Sequence, residues 1–324
     1  MQKSILAVLA DGCFHSGETL AREFGCSRSA VWKSLQSLRE RTGLEIMAVT
    51  GKGYRLECPL ELFDEQAILD AMGSVASTRL RGLHLYDEVA STNILAAEAL
   101  RGGEPQPAAW LAEYQSTGRG RCGRRWHSPY GRNLYLSLLY GFDLPMRQLS
   151  GLSIAMGVVL AEFLARHGLR EHGLKWPNDL YWRGRKLAGL LIEAIGETGG
   201  PVSTIIGIGL NIDLGGTLPD WIDQPVGDLR MAGLSPSRNR LAGELIDALL
   251  VGCSEYAQVG LSSFLSRWDA FDLYRGHSVR LCSGAGEWRG FLLGISANGG
   301  VRLQTDEGER VYHGGELSLR EETN

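Results

Sequence analysis

The stretch AAWLAEYQSTGRGRCGRRWHSPYGRNLYLSLLY, Ala108 to Tyr140, decides how the chain is read. Its two ends are apolar, and Ala108–Gln115 and Leu134–Tyr140 each read as a strand. Between them stands GRGRCGRRWHSP (Gly118–Pro129), in which Arg119, Arg121, Arg124 and Arg125 alternate with Gly118, Gly120 and Gly123 and are followed by Trp126. Glycine lets a backbone come close to a ligand. Guanidinium groups grip phosphate or carboxylate in a planar fork, and an indole offers a flat face to a heterocycle or a cation. The loop therefore suits closure over an anionic nucleotide. A solvated basic loop, or one that touches nucleic acid, is the other reading of these residues taken alone.

The sheet continues downstream in KWPNDLYWRGRKLAGLLIE, Lys175 to Glu193. Pro177 cannot donate to a ladder and marks a strand end, with Asn178 and Asp179 beside it. Leu180–Trp182 and Lys186–Glu193 flank an Arg-Gly-Arg turn and read as a hairpin. That places Lys186 at a strand start and Gly189 inside the strand. STIIGIGLNID (Ser203–Asp213) is a further apolar strand carrying Gly207 and Gly209 and ending at Asn211. Glycine within an apolar strand marks a bulge or a close approach. Upstream, Leu83–Val89 is strand-like, and Ser91, Thr92 and Asn93 open a helix to about Leu100. A helix N-terminus suits an N-cap and an anion or amide alike. Asp64–Met72 reads as one helix and Met146–Gly168 as a long core helix. Short polar groups thus converge on one Arg/Gly loop. The chain has neither a Walker A motif nor a G-x-G-x-x-G turn, so nucleotide binding would use neither device.

With 324 residues, 44% hydrophobic and 22% charged, the chain is sized for two or three globular domains. Its 43 glycines are about 13% of the chain against a usual ~7%. No repeat or low-complexity tract absorbs them, so they imply tight turns and close approaches. The net charge of −4 excludes a broadly basic nucleic-acid coat and confines any such contact to a local patch. The six cysteines (13, 26, 58, 122, 253 and 282) show no metal-ligand spacing and read as free thiols in a reducing compartment. The expectation is a cytoplasmic protein without a signal peptide and without an apolar run near the ~20 residues that span a bilayer.

Residues 1–58 stand apart, with eight Lys or Arg against six Asp or Glu, a local charge of +2. Ile5, Leu6, Val8 and Leu9 fall at helical spacing, and GETLAREF (Gly17–Phe24) is a second short helix. Gly25-Cys26-Ser27 is a turn with a C′ glycine and an N-cap serine. A third helix from Arg28 to about Glu40 has an apolar stripe of Val31, Leu35 and Leu38 and an opposite face of Arg28, Ser29, Lys33, Ser34 and Gln36. Two strands, Glu45–Thr50 and Tyr54–Glu57, follow around Gly51-Lys52-Gly53. This is a helix-turn-helix with a β-hairpin wing. Arg28, Ser29 and Lys33 are expected at the major groove and Lys52 at phosphate.

SRSAVWKSLQSL with GKGY, STN, QSTGRGRCGRRW, KWPNDL, KLAGLLIE, IGIGLNI and a closing GGELSLR together resemble, over essentially the whole chain, the bifunctional biotin–protein ligases that also repress biotin synthesis genes. The resemblance implies an α+β chain of three parts. These are a winged helix-turn-helix over 1–62, a mixed α/β ligase domain like the class II synthetases over 63–271, and an SH3-like barrel over 272–324. It implies formation of biotinyl-5′-AMP from biotin and Mg²⁺-ATP, then transfer of biotin to a lysine of biotin carboxyl carrier protein. It also implies operator DNA as a partner and a ligand-promoted homodimer, with no membrane role and no tightly bound metal. Lys186, Arg119 and Arg121 are the implied catalytic residues. Biotin falls to Ser91, Thr92, Asn93, Gln115, Arg119, Gly120, Arg121, Lys186 and Gly189. ATP falls to Arg121, Arg124, Trp126, Asn178 and Asn211, with Asp179 for metal or orientation. A family member carries a basic residue where this chain has Cys122, which leaves open how tightly the loop retains the adenylate.

A lipoate ligase on the same fold would exchange pyrophosphate with lipoate instead of biotin. A nucleotide-sensing regulator would bind DNA but leave carrier protein unmodified. Neutralising Arg28 and Lys33 together is expected to abolish sequence-specific DNA retention while sparing biotin transfer. Gel-shift and biotinylation assays on one preparation check this, and unchanged retention would remove the third helix from DNA reading.

Overall fold

The computed structural model describes residues 2–196, 200–216, 218–283, 286–313 and 318–321. At the N-terminus, α1 (Gln2–Leu9), α2 (Gly17–Glu23) and α3 (Arg28–Thr42) enclose Ile5, Leu6, Leu9, Leu20, Val31, Leu35 and Leu38. Ser16 and Ser27 cap α2 and α3 by accepting from the Thr19 and Ala30 amides, and Gly43 ends α3 at φ +67°. The wing is an antiparallel pair, β1 (Ile46–Val49) and β2 (Gly53–Leu56). The winged helix-turn-helix is thus present, with one correction. Ser34, expected on the polar face, is buried. It lies three residues after Val31 and four before Leu38, so the helical period puts it in the apolar stripe.

The middle of the chain runs α4 (Glu65–Ala71), α5 (Ser74–Arg79), β3 (Gly82–Val89), α6 (Thr92–Arg101), β4 (Ala108–Gln115), β5 (Leu134–Phe142), α7 (Leu152–Arg166), β6 (His172–Lys175), β7 (Asp179–Trp182), β8 (Arg185–Gly196), β9 (Val202–Leu210), α8 (Arg238–Val259) and α9 (Ser262–Asp269). Its seven strands form one sheet in the order β3-β4-β5-β9-β8-β7-β6. Only β3 and β4, joined through α6, are parallel; every other neighbouring pair is antiparallel. Strand alternation divides the apolar residues between two faces. Trp110, Leu139 and Ile205 pack with Ala96 of α6. Ala109, Leu111, Leu138 and Ile206 belong to the larger core that holds α7 and α8.

The helix expected over Asp64–Met72 is α4, capped by Asp64, and a second helix, α5, which had no counterpart in the reading, follows the extended Met72 and Gly73. Two expectations change here. The long helix from Met146 is a short 3₁₀ turn, Met146–Leu149, followed by α7. The stretch Met146–Arg166 is also, by length and composition, apolar enough to cross a membrane, contrary to the expectation of no such run; 72% of its 18-residue apolar window is buried in this core. Helix α8 had no counterpart in the reading, although Leu241, Leu245, Ile246, Leu249, Leu250 and Cys253 follow a helical period and are buried.

The C-terminal strands β10 (Ser278–Ser283), β11 (Gly286–Ile295), β12 (Val301–Thr305), β13 (Gly308–Tyr312) and β14 (Ser318–Glu321) form an antiparallel sheet in the order β13-β12-β11-β10-β14. This is the small β domain expected there; residues 314–317 of the GGELSLR motif lie outside the described residues. Val279, Leu281, Leu292, Val301 and Leu303 share one core with the central sheet, and Trp176 Nε1 donates to Gly299 O at 2.9 Å. The sheet therefore seats firmly on the middle of the chain.

The connection from the wing to α4 is pinned. Glu61 accepts from Ser237 Oγ at 2.5 Å, from Arg238 N at 2.7 Å and from Asn239 Nδ2 at 3.0 Å, at the first turn of α8. Burial works to raise the Glu61 pKa, but these hydrogen bonds outweigh it and hold the carboxyl below its ordinary value. Glu113 forms a buried ion pair with Arg238 at 2.9 Å and accepts from Phe63 N at 2.5 Å. Arg238 also donates to Asn133 O at 2.9 Å and lies 4.1 Å from the Phe63 ring centroid. Arg41 at the end of α3 pairs with Asp87 of β3 at 2.9 Å, and the Tyr130 hydroxyl donates to the same carboxylate.

Removing one partner of a buried pair costs about 3–5 kcal/mol. Arg238→Met is expected to lower unfolding free energy by that amount in urea titrations. Arg183→Met, which breaks the exposed pair with Glu171, should stay within about 1 kcal/mol. Equal effects of the two would show that the Glu113–Arg238 pair does not hold the linker.

Candidate active site

On the α6 face of the sheet, strand β9 carries Ile205, Gly207 and Gly209 in alternation. Ile205 is covered by α6. Beyond the N-terminus of that helix the strand offers no side chain, and a cavity of about 430 Å³ opens there. A Cβ on Gly207 would lie 2.2 Å from Asn93 Oδ1, and one on Gly209 would lie 2.4 Å from Trp126 Cε2. Both glycines are thus required by a side chain that lies directly on the strand.

One wall is the start of α6. Ser91 occupies the N-cap position, but its side chain makes no capping hydrogen bond. Gln115 Oε1 accepts from Thr92 N at 3.0 Å and from Thr92 Oγ1 at 3.2 Å, and Gln115 Nε2 donates to Ser128 Oγ at 3.3 Å. Ser137, opposite Gly207 in the β5–β9 register, places its hydroxyl 2.5 Å from Asn93 Oδ1 and 2.8 Å from Thr92 Oγ1. Asn93 Nδ2 donates to Glu193 Oε2 at 2.8 Å. Ser91, Thr92, Asn93 and Gln115 are all buried, so this is a rigid polar network held at the rim of an apolar sheet.

The Arg/Gly loop forms the lid. Gly120 N donates to Arg124 O at 2.7 Å and Trp126 N to Gly118 O at 2.8 Å, which fold 118–126 into a hairpin. Cys122 is exposed at its tip with φ +54°, a left-handed conformation that is uncommon outside glycine. The hairpin is tied to the site by Arg119 with Glu193 at 3.3 Å and by Arg121 Nη1 donating to Asn178 Oδ1 at 3.3 Å. Trp126 lies over Gly189 and Gly209, with its Nε1 buried and without a hydrogen-bond partner. Arg125 stacks on Trp221 at 5.0 Å from the ring centroid, and His127 meets the same ring edge-on at 6.1 Å. Burial holds the His127 imidazole below its ordinary pKa, which favours the neutral form.

The floor carries the strand-end residues. Lys186 Nζ pairs with Asp179 Oδ2 at 2.8 Å and stands 5.7 Å from the Trp126 ring centroid. Asp179 Oδ1 is buried with no hydrogen-bond partner. Asn178 Nδ2 donates to Leu190 O at 2.6 Å. Asn211 Nδ2 donates to Gly227 O at 3.0 Å, holding segment 225–227 beside Lys186, whose amide donates to Pro225 O at 2.9 Å.

Every residue expected at the biotin or ATP subsites lines this one cavity, together with Asp179. The residues expected at DNA lie elsewhere. Arg28, Ser29 and Lys33 are exposed on α3, and Lys52 is exposed at the wing tip with its ammonium 5.7 Å from the Phe14 ring centroid. The sequence reading missed Glu193, Ser137 and Trp221. A buried serine inside an apolar strand and a carboxylate closing a glycine-bearing strand were the available signals for the first two. Trp221 stands in an irregular segment with no period to expose it.

Three family models match the chain: an HTH domain over residues 2–55, the biotin/lipoate A/B protein ligase family over residues 88–211 and the biotin protein ligase C-terminal domain over residues 276–320. The chain is 40% identical over 320 residues to the bifunctional ligase/repressor BirA of Salmonella typhimurium, covering 98% of this chain and 97% of that one. It is 38% identical over 318 residues to the protein of the same name from Escherichia coli, covering 98% and 96%. Among solved structures, a biotin protein ligase from Aquifex aeolicus in complex with biotin and ATP superposes with a TM-score of 0.62 at 29% identity, covering 75% of this chain and 99% of that one. A helix-turn-helix joined to a ligase fold, matched from end to end by these relatives, places this chain in the family of bifunctional biotin ligase/repressors.

Proposed function

We propose that the cavity under the Arg/Gly loop makes biotinyl-5′-AMP from biotin and Mg²⁺-ATP and passes the biotin to a lysine of a biotin carboxyl carrier protein. We further propose that the adenylate-bound chain pairs with a second copy and represses at operator DNA through residues 1–62. The ligase chemistry occupies 63–271, and 272–324 packs against it. The observation that carries this reading is the convergence of a half-buried ammonium, Lys186, and the loop cations Arg119, Arg121 and Arg124 on one cavity roofed by Trp126.

In the first step a biotin carboxylate oxygen attacks the α-phosphorus, the bond to the β-phosphate oxygen breaks, and pyrophosphate leaves. In the second a neutral lysine amine attacks the acyl carbon, the bond from that carbon to the phosphate oxygen breaks, AMP leaves, and the amine gives up one proton to solvent. Both transition states gather negative charge on oxygen, so fixed cations lower the barrier more than an acid/base pair does. Lys186, oriented by Asp179, sits where the carboxyl and phosphoryl groups meet. Arg119, Gly120 and Arg121 close over them, and these anionic groups take the place of the Glu193 carboxylate that pairs with Arg119. Ser91, Thr92, Asn93 and Gln115 hold the polar ring of biotin, and Gly189 forms the pocket wall, bare where Trp126 lies on it. Arg124 and Asn178 flank the nucleotide, adenine stacks on Trp126, and Asn211 positions the neighbouring backbone. The free oxygen Asp179 Oδ1 fits a single protein ligand for Mg²⁺ arriving on the triphosphate, where the ion would neutralise phosphate charge.

Lys186→Gln is expected to slow biotin-dependent pyrophosphate exchange by orders of magnitude, and near-normal exchange would remove Lys186 from the mechanism. Gly209→Ala is expected to lift Trp126 off the strand and raise the KM for ATP about tenfold or more, with far-UV circular dichroism unchanged. Carrier biotinylation followed with labelled biotin reads both variants. Exchange with lipoate but not biotin would overturn the substrate assignment.

A further inference from the structure

Trp32 is the fifth residue of α3, and 52% of it is exposed. It belongs to no core cluster of the N-terminal module, whose buried stripe on the same helix is Val31, Ser34, Leu35 and Leu38. Arg28, Ser29, Trp32 and Lys33 are all exposed and follow one another at spacings of one, three and one, which places them on a single helical face. An indole carries one of the largest apolar surfaces among the side chains, and leaving half of it in water forgoes burial that the core next to it could have supplied. The surroundings state what would cover it. Arg28 and Lys33 flank it on the helix. On the module's wing, the Lys52 ammonium and the Arg55 guanidinium lie 5.7 and 4.9 Å from the Phe14 ring centroid, which steadies a second pair of cations. A polyanion with flat apolar edges between its charges is complementary to this surface, and a neutral or cationic protein face is not.

In helix-turn-helix docking the N-terminal turns of the second helix reach base edges in the major groove. Phosphate contacts orient the module, and apolar contact with the thymine 5-methyl group reads sequence. We propose that Trp32 is a specificity-determining residue of the repressor function, packing its indole face on a thymine methyl in each operator half-site while Arg28 and Lys33 enter the same groove and Lys52 holds a phosphate. This rests on the DNA-binding role of residues 1–62 proposed above. Trp32 lies outside the ligase cavity, so its substitution separates operator reading from biotin chemistry.

The test uses the full-length protein with biotin and ATP, and duplexes selected by it from a random pool. Affinities come from fluorescence anisotropy at one fixed salt concentration. Trp32→Ala is expected to weaken binding to the selected duplex about tenfold. It should leave binding to an unselected duplex and the rate of carrier biotinylation unchanged. Replacing the critical thymine by uracil, which removes only the methyl group, should weaken the native protein and have no effect on Trp32→Ala. Trp32→Phe should retain most of the preference. The proposal is overturned if Trp32→Ala binds the selected duplex as tightly as the native protein, if it weakens all duplexes equally, or if Trp32→Phe behaves like Trp32→Ala. If the native protein selects no sequence at all, the operator reading itself falls, and Trp32 with it.

Discussion

The site depends on where strand β9 stops carrying side chains. Along one face, Ile205 fills the space under α6, and the next two positions on that face are Gly207 and Gly209. A methyl group at either would collide with Asn93 or Trp126 at distances no carbon tolerates. The same strand thus serves as packed core under the helix and as bare floor past its end. Because β9 is paired on both sides, with β5 and β8, the floor is as rigid as the core it extends. The polar residues of the α6 N-terminus and Gln115 are fixed against that floor by a closed network, so they meet a ligand already in place and lose little further freedom on binding.

The lid is held differently. Arg119 and Glu193 face each other with side chains that are 43% and 36% exposed. An exposed pair of this kind is worth about 0–1 kcal/mol. A phosphate or carboxylate that enters the cavity competes easily for the same guanidinium. The loop therefore combines a hairpin of backbone hydrogen bonds with side-chain ties that a ligand anion can replace, while the Lys186–Asp179 pair beneath it is shielded from solvent and more firmly set.

Residue type and local spacing carried most of what could be read. Arginine and glycine in alternation, glycine inside apolar strands and a serine before a helical stripe each have a local physical meaning, and Arg119, Gly120, Arg121, Arg124, Gly189, Gly207, Gly209 and Ser91 so identified all line the cavity. What escaped was set by pairing between distant segments. Glu193 meets Arg119 across 74 positions, and Ser137 becomes part of the site only because the β5–β9 register puts it opposite Gly207. Ser34 shows a smaller failure: its polarity suggested the solvent face, and the helical period overruled it. Helix α8 differs from these, since its apolar period and the Ser237 cap were local and legible.

The pinned linker has a consequence for scale. Glu61 is locked to the first turn of α8, Glu113 reaches Phe63, and Arg41 ties the end of α3 to β3. The helix that presents Trp32 is thus indexed to the ligase sheet by several independent bolts and is not tethered by a loose cord. Two such chains related by a twofold axis would behave as a caliper of set opening. If copies pair as proposed above, the distance between their reading helices would be set by whichever surfaces meet, so the phasing of two half-sites along the DNA helix would be measured by the body of the protein.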